Sequence, residues 1–225
     1  MKQPPMKIEK HISVLEKKIV KIFDGSACGH NIDHLRRTLN LACELQKKEG
    51  GDLEVIAVAS FIHDVHRIMQ AQEKRYVSPK ESLTKIKELI ADLKLTDKQK
   101  DHICHCIEFH EQYNFGTDKV TVEDIETLIL QDADNLDAIG AVGIIRCIQY
   151  NTTYNVPMYL PDVPLYQNEY DETLAIANDC SCVHHINNKL LRLGEHMNTK
   201  TAKEMAKDRT DIMQKFVDMV VRDWR

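Results

Sequence analysis

Glycine, proline and aromatic residues are all scarce in this chain, with 8 Gly, 6 Pro and 6% Phe, Trp and Tyr among 225 residues. So few turn formers and rings, set beside abundant Leu, Ile, Lys and Glu, give little from which to build a sheet and favour helices. A basic surplus is missing as well. With 30 Lys and Arg against 35 Asp and Glu, the formal charge is -5. This argues against a stable nucleic-acid complex, because proteins that coat nucleic acid carry excess cations to neutralise phosphates. No apolar run reaches the roughly 18 residues of a membrane span, and Met1 to Lys10 lacks the apolar stretch of a signal peptide. The expected location is cytoplasmic. The seven cysteines, at 28, 43, 104, 106, 147, 180 and 182, include no Cys-x-x-Cys pair. Their odd number and helical, apolar surroundings fit buried free thiols in a reducing compartment.

What the chain does have is helical periodicity with clear punctuation. Apolar residues at 8, 12, 15, 19 and 22 mark one face of a helix over 6–23. A second helix, 33–48, ends at Gly50-Gly51, and Asp52 caps a third, 53 to about 68, with so little polar surface that a central, buried place is expected. Ser78-Pro79-Lys80-Glu81 and Thr96-Asp97-Lys98-Gln99 read as capping boxes for helices to about Leu93 and Glu111. Thr121-Val122-Glu123-Asp124 reads as a third, opening a helix to about Tyr150. Residues 151–170, with three prolines and four tyrosines, read as a long loop, followed by helices over about 171–193 and 199–223. The expected fold class is all-α, a single helical bundle domain over 1–225 of some eight helices.

Chemistry enters at Phe61-Ile62-His63-Asp64-Val65-His66-Arg67, which sets two metal-binding side chains at the end of an apolar run. His34 opens the preceding helix, and Asp132, Asp134 and Asp137 lie in the apolar run 128–140. Carboxylates in such a run cost several kcal/mol each unless a cation or hydrogen bonds compensate, and the run contains no Lys or Arg. Imidazoles with carboxylates form a mixed nitrogen and oxygen set suited to a divalent ion. On a continuous helix, His63 and Asp64 point about 100° apart, so further ligands must come from other helices.

These residues resemble the HD-domain metal-dependent phosphohydrolase superfamily. The resemblance rests on the order His34, His63-Asp64 and a later Asp-x-Leu. It extends to Gly29-His30-Asn31-Ile32-Asp33-His34-Leu35-Arg36-Arg37, to the Asp132-Ala133-Asp134-Asn135-Leu136-Asp137-Ala138-Ile139-Gly140-Ala141 block of one bacterial branch, and to His196-Met197-Asn198-Thr199. It implies a helical domain whose metal-binding part covers about 25–150, with the helices of about 171–223 packed on it. It implies one divalent ion (Mn, Fe, Zn, Mg, Co or Ni) held by His34, His63, Asp64 and Asp134, with Asp132 the alternative fourth ligand. The implied substrate is a small phosphorylated compound, most plausibly a nucleotide, from which phosphate or pyrophosphate is released. Arg37, one turn after His34, is placed to balance phosphate charge, and His110 is read as a substrate contact. Many relatives carry an acid three residues after the signature Asp; here that position is Arg67, preceded by His66. Either His66 or a carboxylate from elsewhere then takes that role, or the reaction differs; the exchange also leaves open a weakened enzyme in which Arg67 recognises phosphate instead. The alternative reading is a non-catalytic metal- and nucleotide-binding module. Homo-oligomerisation is compatible with the sequence.

Overall fold

The computed structural model describes residues 6–23, 29–112, 122–165 and 180–224. Among the described residues there is no β-strand, so the expected all-α class is the one observed. The helices are α1 (Met6–Phe23), α2 (Ile32–Glu49), α3 (Leu53–Ile62), α4 (Val65–Glu73), α5 (Leu83–Ile90), α6 (Asp97–Phe109), α7 (Ile125–Ala138), α8 (Gly140–Thr153), α9 (Cys182–His185), α10 (Leu191–Glu195) and α11 (Lys200–Asp223). A π turn, Ile186–Leu190, joins α9 to α10.

Helix starts follow the capping residues. Asn31 accepts from the His34 N–H, and Asp52 from the N–H groups of Glu54 and Val55. Ser78 with Glu81, and Thr96 with Gln99, close reciprocal capping boxes, the first opening a 3-10 turn, Pro79–Ser82, ahead of α5. Gly50 ends α2 at φ +88, a region glycine enters without strain, and its N–H reaches Gln46 O. Before α7 the capping carboxylate is Asp124, bonded to the Thr127 N–H and hydroxyl. Thr121, the cap expected from sequence, lies outside the described residues.

Two long helices expected from periodicity are each broken in two. The 53–68 helix stops at Ile62 and resumes at Val65, and the 121–150 helix divides at extended Ile139 (φ -116, ψ 166) and left-handed Gly140 (φ +80). Periodicity missed both because the apolar spacing continues across each break. Of the expected 151–170 loop, residues 151–153 belong to α8, 154–165 are irregular, and the rest lies outside the described residues. The expected helix over 171–193 is seen from Cys182 onward; its start also falls outside.

Two compact units can be distinguished. One comprises Met1–Gln112 and Thr121–Asp134, the other Tyr113–Val120 and Asn135–Arg225. In the first, α3 is central: every residue from Val55 to Ile62 is buried. Around it are Leu15 and Ile19 of α1, Leu35 of α2, Ile86 and Ile90 of α5, Ile103 and Ile107 of α6 and Leu130 of α7.

In the second unit, α8 packs along α11, with Ile144, Cys147, Ala202, Ala206, Met213 and Val217 buried. Arg146 on α8 gives buried Asp137 an ion pair at 2.8 Å, so a cation from beyond the 128–140 run serves one of its carboxylates. Arg209 donates to Leu136 O at 2.6 Å near the end of α7. The turn between α7 and α8 leaves no room beside Gly143, where a Cβ would overlap the Ala138 carbonyl. Because that obstacle is backbone, Gly143→Ala is expected to destabilise the protein by about 1–3 kcal/mol. A lower denaturant midpoint at unchanged m-value would show it.

Candidate metal centre

The break after Ile62 shapes the centre. His63 keeps α-helical dihedrals (φ -58, ψ -34), whereas Asp64 (φ -88, ψ 13) stands just ahead of α4. The two side chains therefore leave the chain at a bend, which replaces the continuous-helix geometry expected from sequence. His34 projects from the first turn of α2 and Asp134 from α7, and all four residues belong to the first unit.

Their donor atoms converge. His34 Nε2 lies 3.2 Å from His63 Nε2, 3.2 Å from Asp64 Oδ2 and 3.5 Å from Asp134 Oδ1. His63 Nε2 is 3.6 Å from Asp64 Oδ2 and 3.7 Å from Asp134 Oδ1. Neighbouring ligands of one ion held at about 2.1 Å stand roughly 3.0–3.5 Å apart, so these spacings of 3.2–3.7 Å are close to those around a single divalent ion. The chemistry of the donors fits as well. His63 Nδ1 is 2.9 Å from Ser60 O, and since a carbonyl can only accept, Nδ1 carries the proton and Nε2 turns a lone pair inward. Asp132 is fully buried, but the converging cluster holds Asp134 and not Asp132.

Further groups surround this set. His30, at the mouth, brings Nδ1 to 2.7 Å from Asp64 Oδ2. Five imidazoles, His30, His34, His63, His110 and His66, form an unbroken run of edge-to-face contacts with centroids 5.1–5.6 Å apart. His66 Nδ1 is 3.2 Å from His63 O, and its Nε2 is 3.3 Å from Glu111 Oε1. Glu111 also receives the Arg67 guanidinium. His110 Nδ1 donates to Ile107 O at 2.7 Å, which leaves its buried Nε2 without a hydrogen-bond partner. Arg37, half-buried, follows His34 by one turn of α2.

The electrostatics are those of a site short of positive charge. Burial opposes a charge on His63, but the Asp64 charge and the Asp134 hydrogen bond outweigh it and raise its pKa to about 9. Burial likewise opposes ionisation of Asp64 and Asp134, yet the facing imidazoles, His63 foremost, hold both carboxyls well below their ordinary range. Burial, with His63 and His66 nearby, pushes His110 down to about 4 and keeps it neutral. Glu111 falls to about 2 against its burial, through His66, His110 and Arg67. Anions this far inside call for a cation, and a divalent ion would take the place of the His63 proton.

Sequence reasoning did not identify Glu111 or the His30 contact with Asp64. The signals were available: Glu111 directly follows His110, and His30 stands four residues ahead of His34. What was missing was the α6 end turned toward α4.

Comparison with known proteins points to the same family that the sequence resembles. The HD domain family matches residues 31–139. YpgQ of Bacillus subtilis is 28% identical over 221 residues, 97% of this chain and 96% of that one. Its crystal structure in complex with ADP superposes with a TM-score of 0.70 at 26% identity, covering 97% of each chain. An HD-superfamily hydrolase from Bacillus thuringiensis gives a TM-score of 0.70 at 29% identity, covering 97% of this chain and 96% of that one. Among the described residues no helix is long and apolar enough to cross a membrane. With the His34, His63-Asp64 and Asp134 order gathered at one point and the family model matched across it, residues 31–139 form an HD domain, the domain of the metal-dependent phosphohydrolases that the sequence resembles.

Proposed function

We propose that this protein hydrolyses a nucleotide, releasing phosphate or pyrophosphate, with one divalent ion held by His34, His63, Asp64 and Asp134. The observation that carries the reading is the convergence of four donor atoms, two of them on fully buried imidazoles, within 3.7 Å of His34 and His63 Nε2. The ADP carried by the Bacillus subtilis relative supports a nucleotide as substrate. Mn, Fe, Zn, Mg, Co and Ni all suit two imidazoles with two carboxylates. When bound, the ion supplies a Lewis acid for a phosphoryl oxygen and a water acidic enough to attack phosphorus at neutral pH.

The chain's own groups do the rest. Ser60 O fixes the His63 ring, and His30 holds the Asp64 carboxylate from the mouth side. Arg37 and Arg67 supply the charge that a polyphosphate needs. The bare Nε2 of His110 accepts a hydrogen bond from substrate or its water. His66, steadied by Glu111, takes the proton position that an acid three residues after Asp64 fills in many relatives. A free, buried thiol such as Cys104 suits the cytoplasm, and homo-oligomerisation is a further property to measure.

A panel of nucleoside mono-, di- and triphosphates, assayed with Mn, Mg, Co and Ni in parallel for both phosphate and pyrophosphate, tests the reading. Turnover of at least one nucleotide is expected. Ligand binding without product under every metal would favour a non-catalytic binding module instead.

A further inference from the structure

Among the described residues, four clusters of metal-competent side chains overlap at the centre just described, and a fifth shares no residue with it. It lies where α6 meets the start of α7, both in the first unit. His102 and Cys106, four residues apart, share one face of α6. His102 Nε2 is 3.0 Å from Asp124 Oδ1 and 3.8 Å from Glu126 Oε2, and the Cys106, His102 and Asp124 donors all lie within 4.8 Å of one another. His105 Nε2 sits 3.1 Å from the other Asp124 oxygen.

Two features set this cluster apart from an ordinary surface network. Among the described residues neither Asp124 nor Glu126 has a Lys or Arg partner, so two carboxylates face His102 Nε2 without a fixed cation, Glu126 Oε1 accepting from the Asp52 N–H at 2.7 Å and leaving Oε2 toward the imidazole. Asp124 is also held in place: the Thr127 N–H at 2.9 Å and hydroxyl at 2.7 Å bond Oδ1, while His105 faces Oδ2. Ligand carboxylates of metal sites are commonly oriented by such outer hydrogen bonds.

We propose that His102 Nε2, Cys106 Sγ, Asp124 Oδ1 and Glu126 Oε2 form a second divalent-metal site, of the zinc class, separate from the HD centre. Four donors of nitrogen, oxygen and sulfur make the closed tetrahedral set that structural zinc takes. His105 and Thr127 act as positioning residues for Asp124. The partly exposed His102 ring and Asp124 carboxylate give entry from solvent, and the buried Cys106 thiol closes the inner side. Burial pushes that thiol up, so the ion must displace its proton to solvent on binding, and occupancy falls as pH is lowered. An ion here ties α6 to the start of α7, the helix that carries Asp134. The sequence pointed to an inert thiol at Cys106 because two of its partners, Asp124 and Glu126, lie beyond the end of α6.

Cobalt(II) distinguishes the two sites, because the HD centre offers only nitrogen and oxygen while this one includes sulfur. Titration of the whole chain with Co2+ is expected to produce a thiolate-to-cobalt charge-transfer band that saturates once one equivalent is bound beyond that taken by the HD centre. The band should survive Asp64→Asn, vanish in Cys106→Ser, and need at least about tenfold more cobalt in His102→Gln. No band in the unmutated chain, or a band unchanged in Cys106→Ser, overturns the proposal and leaves the nucleotide-hydrolysis reading untouched. Should Cys106→Ser fail to fold, His102→Gln decides, since its ring is partly exposed and an unchanged cobalt titration would overturn the site.

Discussion

Asp64→Asn is expected to lower turnover by at least about 10³-fold and to leave the HD centre without its ion at concentrations that saturate the unmutated chain. Asparagine keeps the volume of a side chain that is almost fully buried, so the change removes charge rather than packing. That charge is what His30, His34 and His63 face at 2.7, 3.2 and 3.6 Å. Loss of the roughly 4 kcal/mol that a Lewis acid gives a phosphoryl transition state corresponds to about three powers of ten in rate. Chelation of the unmutated protein should give the same loss, restored by added Mn2+; Asp64→Asn should not be restored. Elemental determination beside the rate assay checks both. A variant that retains one equivalent at this centre and turns over at an unmutated rate would remove Asp64 from the ligand set.

Much of the fold was legible because its determinants are local. Asn31, Asp52, Ser78 and Thr96 each announce a helix start, and each caps one in the structure. Helix ends inside apolar runs were not legible. Ile62 to Val65 and Ala138 to Gly140 continue the hydrophobic pattern of the helices they interrupt, since both breaks are buried. A buried bend keeps apolar side chains for packing and is set by tertiary contacts rather than propensity.

The same contrast runs through the candidate site. His34, His63, Asp64 and Asp134 could be gathered from their order in the chain, and periodicity could not choose between Asp132 and Asp134, since both faces of α7 are apolar. The distances from His34 and His63 to Asp134, 3.5 and 3.7 Å, favour Asp134. Glu111 escaped because its position depends on how α6 ends. The last turn gives way at His110, where the ring bonds back to Ile107 O and the next residue faces α4.

Glu111→Gln is expected to reduce kcat by roughly 10- to 100-fold while metal content at the HD centre stays at one equivalent and KM stays level or falls. The carboxylate binds two groups at once, His66 Nε2 at 3.3 Å and the Arg67 guanidinium, and it is ionised at any physiological pH because those neighbours bring its pKa to about 2. An amide keeps the shape but not the charge, so His66 and Arg67 lose the anchor that fixes their positions, a loss comparable to removing an outer-sphere partner of a metal ligand. The expected direction for KM is opposite: a negative charge beside a polyphosphate opposes binding, and its removal releases Arg67 toward the substrate. Arg67→Ala should show the complementary pattern, with a raised KM and a smaller change in kcat. Steady-state kinetics of the two single variants and the double variant separate these effects through their coupling. Unchanged kcat in Glu111→Gln would reduce the pair to a scaffold between α4 and the end of α6. The predicted split would show that Glu111, reaching in from another helix, serves the position that Arg67 leaves without an acid.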